Sequence, residues 1–210
     1  SQGLLPLEVR FSDKSVNADA FVMSYSADKN SVDVAENGST IVLTQTLGGL
    51  TITKSLTFFP SGKYDVHVKL SEPKEYFISS GFRPSVALDS YTFHGVLVKK
   101  ADGTIKTLDD GSTKADERFD KSRIVASADK YYTTFFYDLT KGLDTVITVG
   151  KDKDPLSIFT YVVWKLGMGN CCDDGYCSFS ALSFDIQRYG FYEQTKRVST
   201  KSKRVASKVW

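Results

Sequence analysis

The sequence predicts an all-β protein of antiparallel sheets with one short helix on its surface. Three observations carry this: polar and apolar residues alternate along most of the first 150 residues, turn-forming residues interrupt the alternation at short intervals, and a single stretch holds helix signals. Alternation puts every second side chain on one face, so each such segment buries one side and wets the other.

The first clear strand covers residues 39–46, entered from Asn37-Gly38 and left at Gly48-Gly49. Residues 51–70 follow as a hairpin. Ile52, Leu56 and Phe58 share one face of its first arm, Pro60-Ser61-Gly62 supplies the turn, and Tyr64, Val66, Val68 and Leu70 alternate down the second. Residues 90–99, 124–127, 131–137 and 144–149 have the same texture, separated by turns at Asp102-Gly103 and Lys141-Gly142, with Gly81 as an earlier break. Six or more such strands fit a sandwich of antiparallel sheets. The helix is placed at residues 112–121, where Ser112 or Thr113 is a candidate cap; its scarcity of apolar residues assigns it to the surface.

After Pro155 the texture changes. Residues 1–155 hold 19 Lys and Arg against 21 Asp and Glu, whereas residues 156–210 hold 8 against 4. The chain therefore divides into a β domain over residues 1–158, a divergent cysteine-containing segment over 159–186, and a basic tail over 187–210 with too few apolar residues to build a core. No apolar run is long enough to span a bilayer, and Ser1-Gln2-Gly3-Leu4-Leu5-Pro6 lacks the charged and apolar regions of a signal peptide.

The residues that suggest chemistry are few. Cys171, Cys172 and Cys177 fall within Asn170-Cys171-Cys172-Asp173-Asp174-Gly175-Tyr176-Cys177. Structural zinc wants four ligands from paired knuckles, and no second knuckle exists. Adjacent cysteines lie about 3.8 Å apart at Cα, too close for an ordinary bridge. A bridge from either to Cys177 would be worth roughly 2 kcal/mol by closing a short loop.

His67 lies beside Asp65 and Lys69 on the polar face of its strand, and His94 follows Phe93; both read as surface or sheet-edge residues without a positioned carboxylate. Asp109, Asp110, Asp116, Glu117 and Asp120 are mixed with Lys114, Arg118 and Lys121, and their spacing is not that of a calcium loop. A solvated face is the simpler meaning. The basic tail has poor aromatic interleaving, which argues against nucleic-acid binding. No catalytic, cofactor-binding or metal-binding residues are assigned, and no enzyme activity is expected.

Phe58-Phe59-Pro60-Ser61-Gly62-Lys63-Tyr64-Asp65-Val66-His67-Val68 resembles the strand, Gly-x-Tyr turn and strand of the large periplasmic domain of the YidC membrane protein insertases, with Lys54, Leu56 and Phe58 matching the preceding strand. Pro6-Leu7-Glu8-Val9-Arg10-Phe11 and Asn17-Ala18-Asp19-Ala20-Phe21 are similar to an upstream segment of that family. Ser90-Tyr91-Thr92-Phe93-His94-Gly95-Val96 and residues 126–136 resemble downstream ones. The likeness runs over residues 4–158 and rests on the order of the motifs.

It implies a β-supersandwich like that of galactose mutarotases, on the periplasmic face of the bacterial inner membrane. It also implies a non-catalytic accessory role, with Sec translocon components and nascent membrane proteins as partners and no cofactor. The membrane helices that carry the family's insertase work are absent from this chain. Past residue 159 the family's Tyr-Ile-Gly-Pro-Lys type segment is replaced by Thr160-Tyr161-Val162-Val163-Trp164. The shared fold raises one alternative, a carbohydrate-binding or aldose-epimerase-like domain, which would need His67 or His94 opposite a carboxylate. A zinc titration of the reduced chain should show no tight stoichiometric binding; one tight site lost on replacing Cys171 and Cys177 would reverse the reading of the cysteines.

Overall fold

The hairpin at residues 51–70 forms as its alternation requires, and the other elements follow in chain order. They are β1 (Val9–Phe11), α1 (Lys14–Val22), β2 (Ser26–Ala27), β3 (Ser39–Leu47), β4 (Leu50–Phe58), β5 (Tyr64–Leu70) and β6 (Tyr76–Ser79). Next come β7 (Gly95–Lys99), β8 (Ile105–Asp109), β9 (Glu117–Ser122), β10 (Ile124–Ala128), β11 (Tyr132–Tyr137), β12 (Leu143–Thr148), β13 (Ser157–Val162) and β14 (Tyr176–Asp185). The computed structural model describes residues 5–81, 93–129, 132–149, 157–162 and 176–185. The described elements are antiparallel β-sheet with one helix, an all-β fold. The chain divides into two units.

In the unit that includes Phe11–Glu75, β2, β3, β4, β5 and β14 are antiparallel neighbours in that order. The β3–β4 register places Ile41 opposite Leu56, Leu43 opposite Lys54 and Gln45 opposite Ile52; β5 continues these rows with Val66, Val68 and Leu70. All nine of these side chains are buried. β14 lies beside β5 from Tyr176, opposite Lys69, to Ala181, opposite Tyr64.

The other unit, which includes Tyr76–Val163, holds two sheets. In one, β10 is flanked by β7 and β11, with β8 beyond β7. In the other, β1, β6, β13, β12 and β9 are neighbours in that order. Val96, Val98, Leu108 and Val125 from the first sheet pack with Phe119 and Ile147 from the second. This is a sandwich core, and each fully buried aliphatic or aromatic chain in it contributes about 2 kcal/mol by leaving water.

The helix is not where the sequence signals put it. Residues 112–121 begin as a turn: the Asp109 carbonyl accepts from Ser112 N and Thr113 N, and its Oδ1 accepts from Gly111 N. The chain then extends as β9, which pairs with β12 and buries Phe119 and Ser122. β9 is the edge of its sheet, so one side of it stays wet and its composition is as polar as that of a surface helix.

The real helix is α1, capped by Asp13, whose Oδ1 accepts from Ser15 N at 2.8 Å. Asn17 fixes the entry by exchanging two hydrogen bonds with the backbone of Phe11, at 2.7 and 2.6 Å. At the exit, the buried Gln45 amide donates to the carbonyls of Ala20 and Met23, carbonyls that a helix end leaves open. α1 buries none of its own side chains; it is a surface helix, held at its two ends.

A Cβ added at Gly95 would collide with the Leu108 carbonyl of the neighbouring strand, whereas one at Gly103, where φ is +87°, would meet nothing within 4 Å. Gly95→Ala should therefore destabilise by about 3 kcal/mol, the scale of overpacking. Gly103→Ala should lose only the left-handed penalty of about 1–2 kcal/mol. Equal losses in chemical denaturation would show that β8 can move away from β7.

Candidate interaction surface

Each residue singled out in the sequence has a place in one of the two units. His67 sits on β5, with Ser55 of β4 and Ser178 of β14 as its register partners. It is half-buried, and its pKa is held below the ordinary 6.5, first by burial and second by the Lys69 ammonium. His94 corrects the surface reading. It is buried to 6% exposure just before β7, and its backbone carbonyl accepts from Asp110 N at 3.1 Å. Among the described residues its Nε2 has no hydrogen-bond partner. No residue pattern signals this burial, which stands next to the close approach of Gly95 to Leu108 of β8.

The acidic run is engaged in structure. Asp116 Oδ1 accepts from Val149 N at 2.9 Å, and Glu117 faces Lys106 at 3.7 Å. Among the described residues no group of three or more His, Cys, Asp or Glu is placed to hold a metal ion. Cys171 and Cys172 lie outside the described residues, and Cys177 lies on β14 with its Cα opposite that of Val68. His67 has serines as its register partners on both neighbouring strands, and His94 is buried.

Among the buried polar residues that the sequence reading did not single out, Lys54 and Gln45 stand in the sheet core. Lys54 occupies a core position between Leu43 and Val68, and its Nζ stands 3.8 Å from the centre of the Tyr25 ring. A desolvated cation over an aromatic face is worth about 2 kcal/mol, which offsets part of the cost of taking the ammonium from water. Gln45 is the second, already described at the end of α1. Both stand in the apolar phase of their strands, so a polar residue at an inward position was the available signal.

Beyond these contacts the described residues present surface. Exposed large apolar side chains occur at Phe21, Val22 and Met23 at the end of α1, and at Leu5, Ile105 and Leu139. No described helix is long and apolar enough to cross a membrane.

The described residues thus define an all-β protein of antiparallel sheets with one short helix. No family model matches the chain. Curated relatives do. It is 45% identical over 157 residues to the membrane protein insertase YidC of Campylobacter jejuni, a match covering 74% of this chain and 30% of that protein. Against YidC of Wolinella succinogenes it is 46% identical over 154 residues, 72% of this chain and 29% of the relative. Against YidC of Helicobacter pylori strain 26695 the figures are 41% over 138 residues, 64% and 25%. The chain thus carries a region of the YidC insertase family and spans under a third of the length of these relatives.

The depressed pKa of His67 fixes a sign for pH dependence. The folded chain binds this proton less readily than the unfolded chain. The contribution to stability is therefore complete above the unfolded value near 6.5 and is lost as pH falls from there to the folded value. NMR titration should place the His67 midpoint below 6.5, and Lys69→Gln should raise it. An unmoved midpoint in that variant would leave burial as the whole cause.

Proposed function

We infer that this chain is an accessory, non-catalytic portion of a membrane protein insertase. It stands on the periplasmic face of the inner membrane and contacts translocon components and emerging membrane proteins. The observation that carries the reading is the 45–46% identity to YidC proteins over nearly three quarters of the chain. At that level of identity the backbone is inherited.

The site geometry supports the same reading from the other side. Polar clamps hold a surface helix that ends in Phe21, Val22 and Met23, an exposed apolar feature of the kind a partner covers.

Photo-crosslinking residues placed at exposed positions of α1 and β8 in the full-length insertase should give adducts with Sec components or with a stalled membrane-protein chain. Adducts with neither, from an insertase that still supports growth, would remove these partners.

A further inference from the structure

One end of the sheet β11–β10–β7–β8 carries a combination that the partner reading leaves unused. The register aligns Tyr137, Ile124, Lys99 and Ile105 in one row across the four strands. The parallel row one residue along, Phe136, Val125 and Val98, is the buried one, so the first row faces away from the core. Beyond it lie the β7–β8 turn and the β11–β12 turn, at the same end of the sheet. Ile105 is 66% exposed at the first and Leu139 61% exposed at the second.

Exposed aliphatics taken singly are ordinary on any protein surface. What sets this pair apart is a basic frame that is structurally fixed. Lys99, Lys100, Lys121, Arg123 and Lys141 stand on these same turns and strand ends. Arg123 N donates to the Lys99 carbonyl at 2.7 Å, and its guanidinium donates to the carbonyls of Leu139 at 2.5 Å and Thr140 at 2.8 Å. Arg123 thus ties both apolar tips to one end of the sheet.

Of the four acids at this end, Asp102 and Asp138 accept from their own loops and Asp144 from the neighbouring strand. Asp102 Oδ1 accepts from Thr104 N at 2.8 Å and Thr104 Oγ1 at 2.6 Å. Asp138 Oδ1 accepts from Thr140 N at 2.8 Å, Thr140 Oγ1 at 2.7 Å and Lys141 N at 3.0 Å. Asp144 Oδ1 takes the backbone N–H of Lys121 at 2.9 Å, and Asp120 lies beside it in sequence. These carboxylates keep their charge while accepting, so the five cations named exceed the four acids by one; residues 1–155 as a whole hold more acids than bases, so this small surplus is local to this end.

We propose that this end docks on an anionic phospholipid surface, with Ile105 and Leu139 entering the headgroup boundary and the surrounding cations meeting lipid phosphates. Aliphatic tips, a tyrosine and flanking lysines are the side chains that settle at a bilayer interface. Each Lys or Arg held near such a surface is worth about 1 kcal/mol. The C-terminal end of α1 is another exposed apolar feature, but the charges flanking it in sequence, Asp19, Asp28 and Lys29, give it no cationic surplus. The proposal uses the family reading only for the nearness of a bilayer.

The test is flotation of the full chain with vesicles of phosphatidylglycerol and phosphatidylethanolamine, and with vesicles of phosphatidylcholine alone. The wild type should float with the anionic vesicles, not with the neutral ones, and less as salt rises. Ile105→Asp with Leu139→Asp should abolish flotation, and Lys99→Glu with Lys100→Glu should weaken it about tenfold or more. All four positions are outside the core, so unchanged thermal melting checks the fold. The basic tail is controlled by Lys201→Glu with Lys203→Glu, which should leave flotation in place. Loss in the tail variant with wild-type flotation in the Ile105 and Leu139 variant would overturn the proposal, as would no flotation at all. Because no translocon or client is present, either failure would leave the accessory reading standing.

Discussion

The register of β10 between β7 and β11 is the constraint on which the Tyr76–Val163 unit depends. Val125 stands between Val98 and Phe136, each at most 1% exposed. A slip of one residue would move Ile124 and Ala126 into the core and turn Val125 to solvent, inverting every side chain of the strand. The same register that fills the sandwich also fixes what lies outside it. Tyr137, Ile124, Lys99 and Ile105 share the outer face because their neighbours share the inner one. Surface composition here is a consequence of core packing, so evolution can alter the outer row without disturbing the inner one.

Where alternation was strong, the sequence was readable. Residues 39–47 and 50–70 pair as expected, with Ile52, Leu56, Val66 and Val68 inward, because each buried face leaves a period-two trace. Where a strand sits at an edge, the trace fades. β9 keeps only Phe119 and Ser122 inside and looked helical, while β13, paired on both sides by β12 and β6, has no clear period. α1 was missed for a different reason. Its stability comes from Asp13, Asn17 and Gln45, and the last of these lies more than twenty residues away in sequence. No local pattern records a clamp of that kind.

The interaction surface was legible in a weaker sense. Residue types alone offered no acid–base or metal pattern to test, and they did not signal the burial of His94, which stands next to the close approach of Gly95 to Leu108. Lys54 shows the opposite case. Its inward phase was visible, yet the partner that makes it tolerable, Tyr25, lies in a segment without regular structure between α1 and β2. Such polar contacts position segments with few apolar residues of their own. They hold the segment firmly and leave its side chains available.

That division bears on how a region of this kind can serve a membrane protein insertase. No described helix is long and apolar enough to cross a membrane, and on the proposed reading these residues act on a lipid or a client through faces held at fixed positions. A rigid sheet end suits this because its loops are short and tied, as Arg123 ties the tips at Leu139 and Lys99. Docking then costs little ordering entropy, and even a few kcal/mol of contact leaves a net gain. A mobile basic segment of equal charge would lose much of that gain to ordering. Charge anchored on a sheet also defines an orientation, which a flexible tail does not, and orientation is what a face must have to meet a client leaving the membrane.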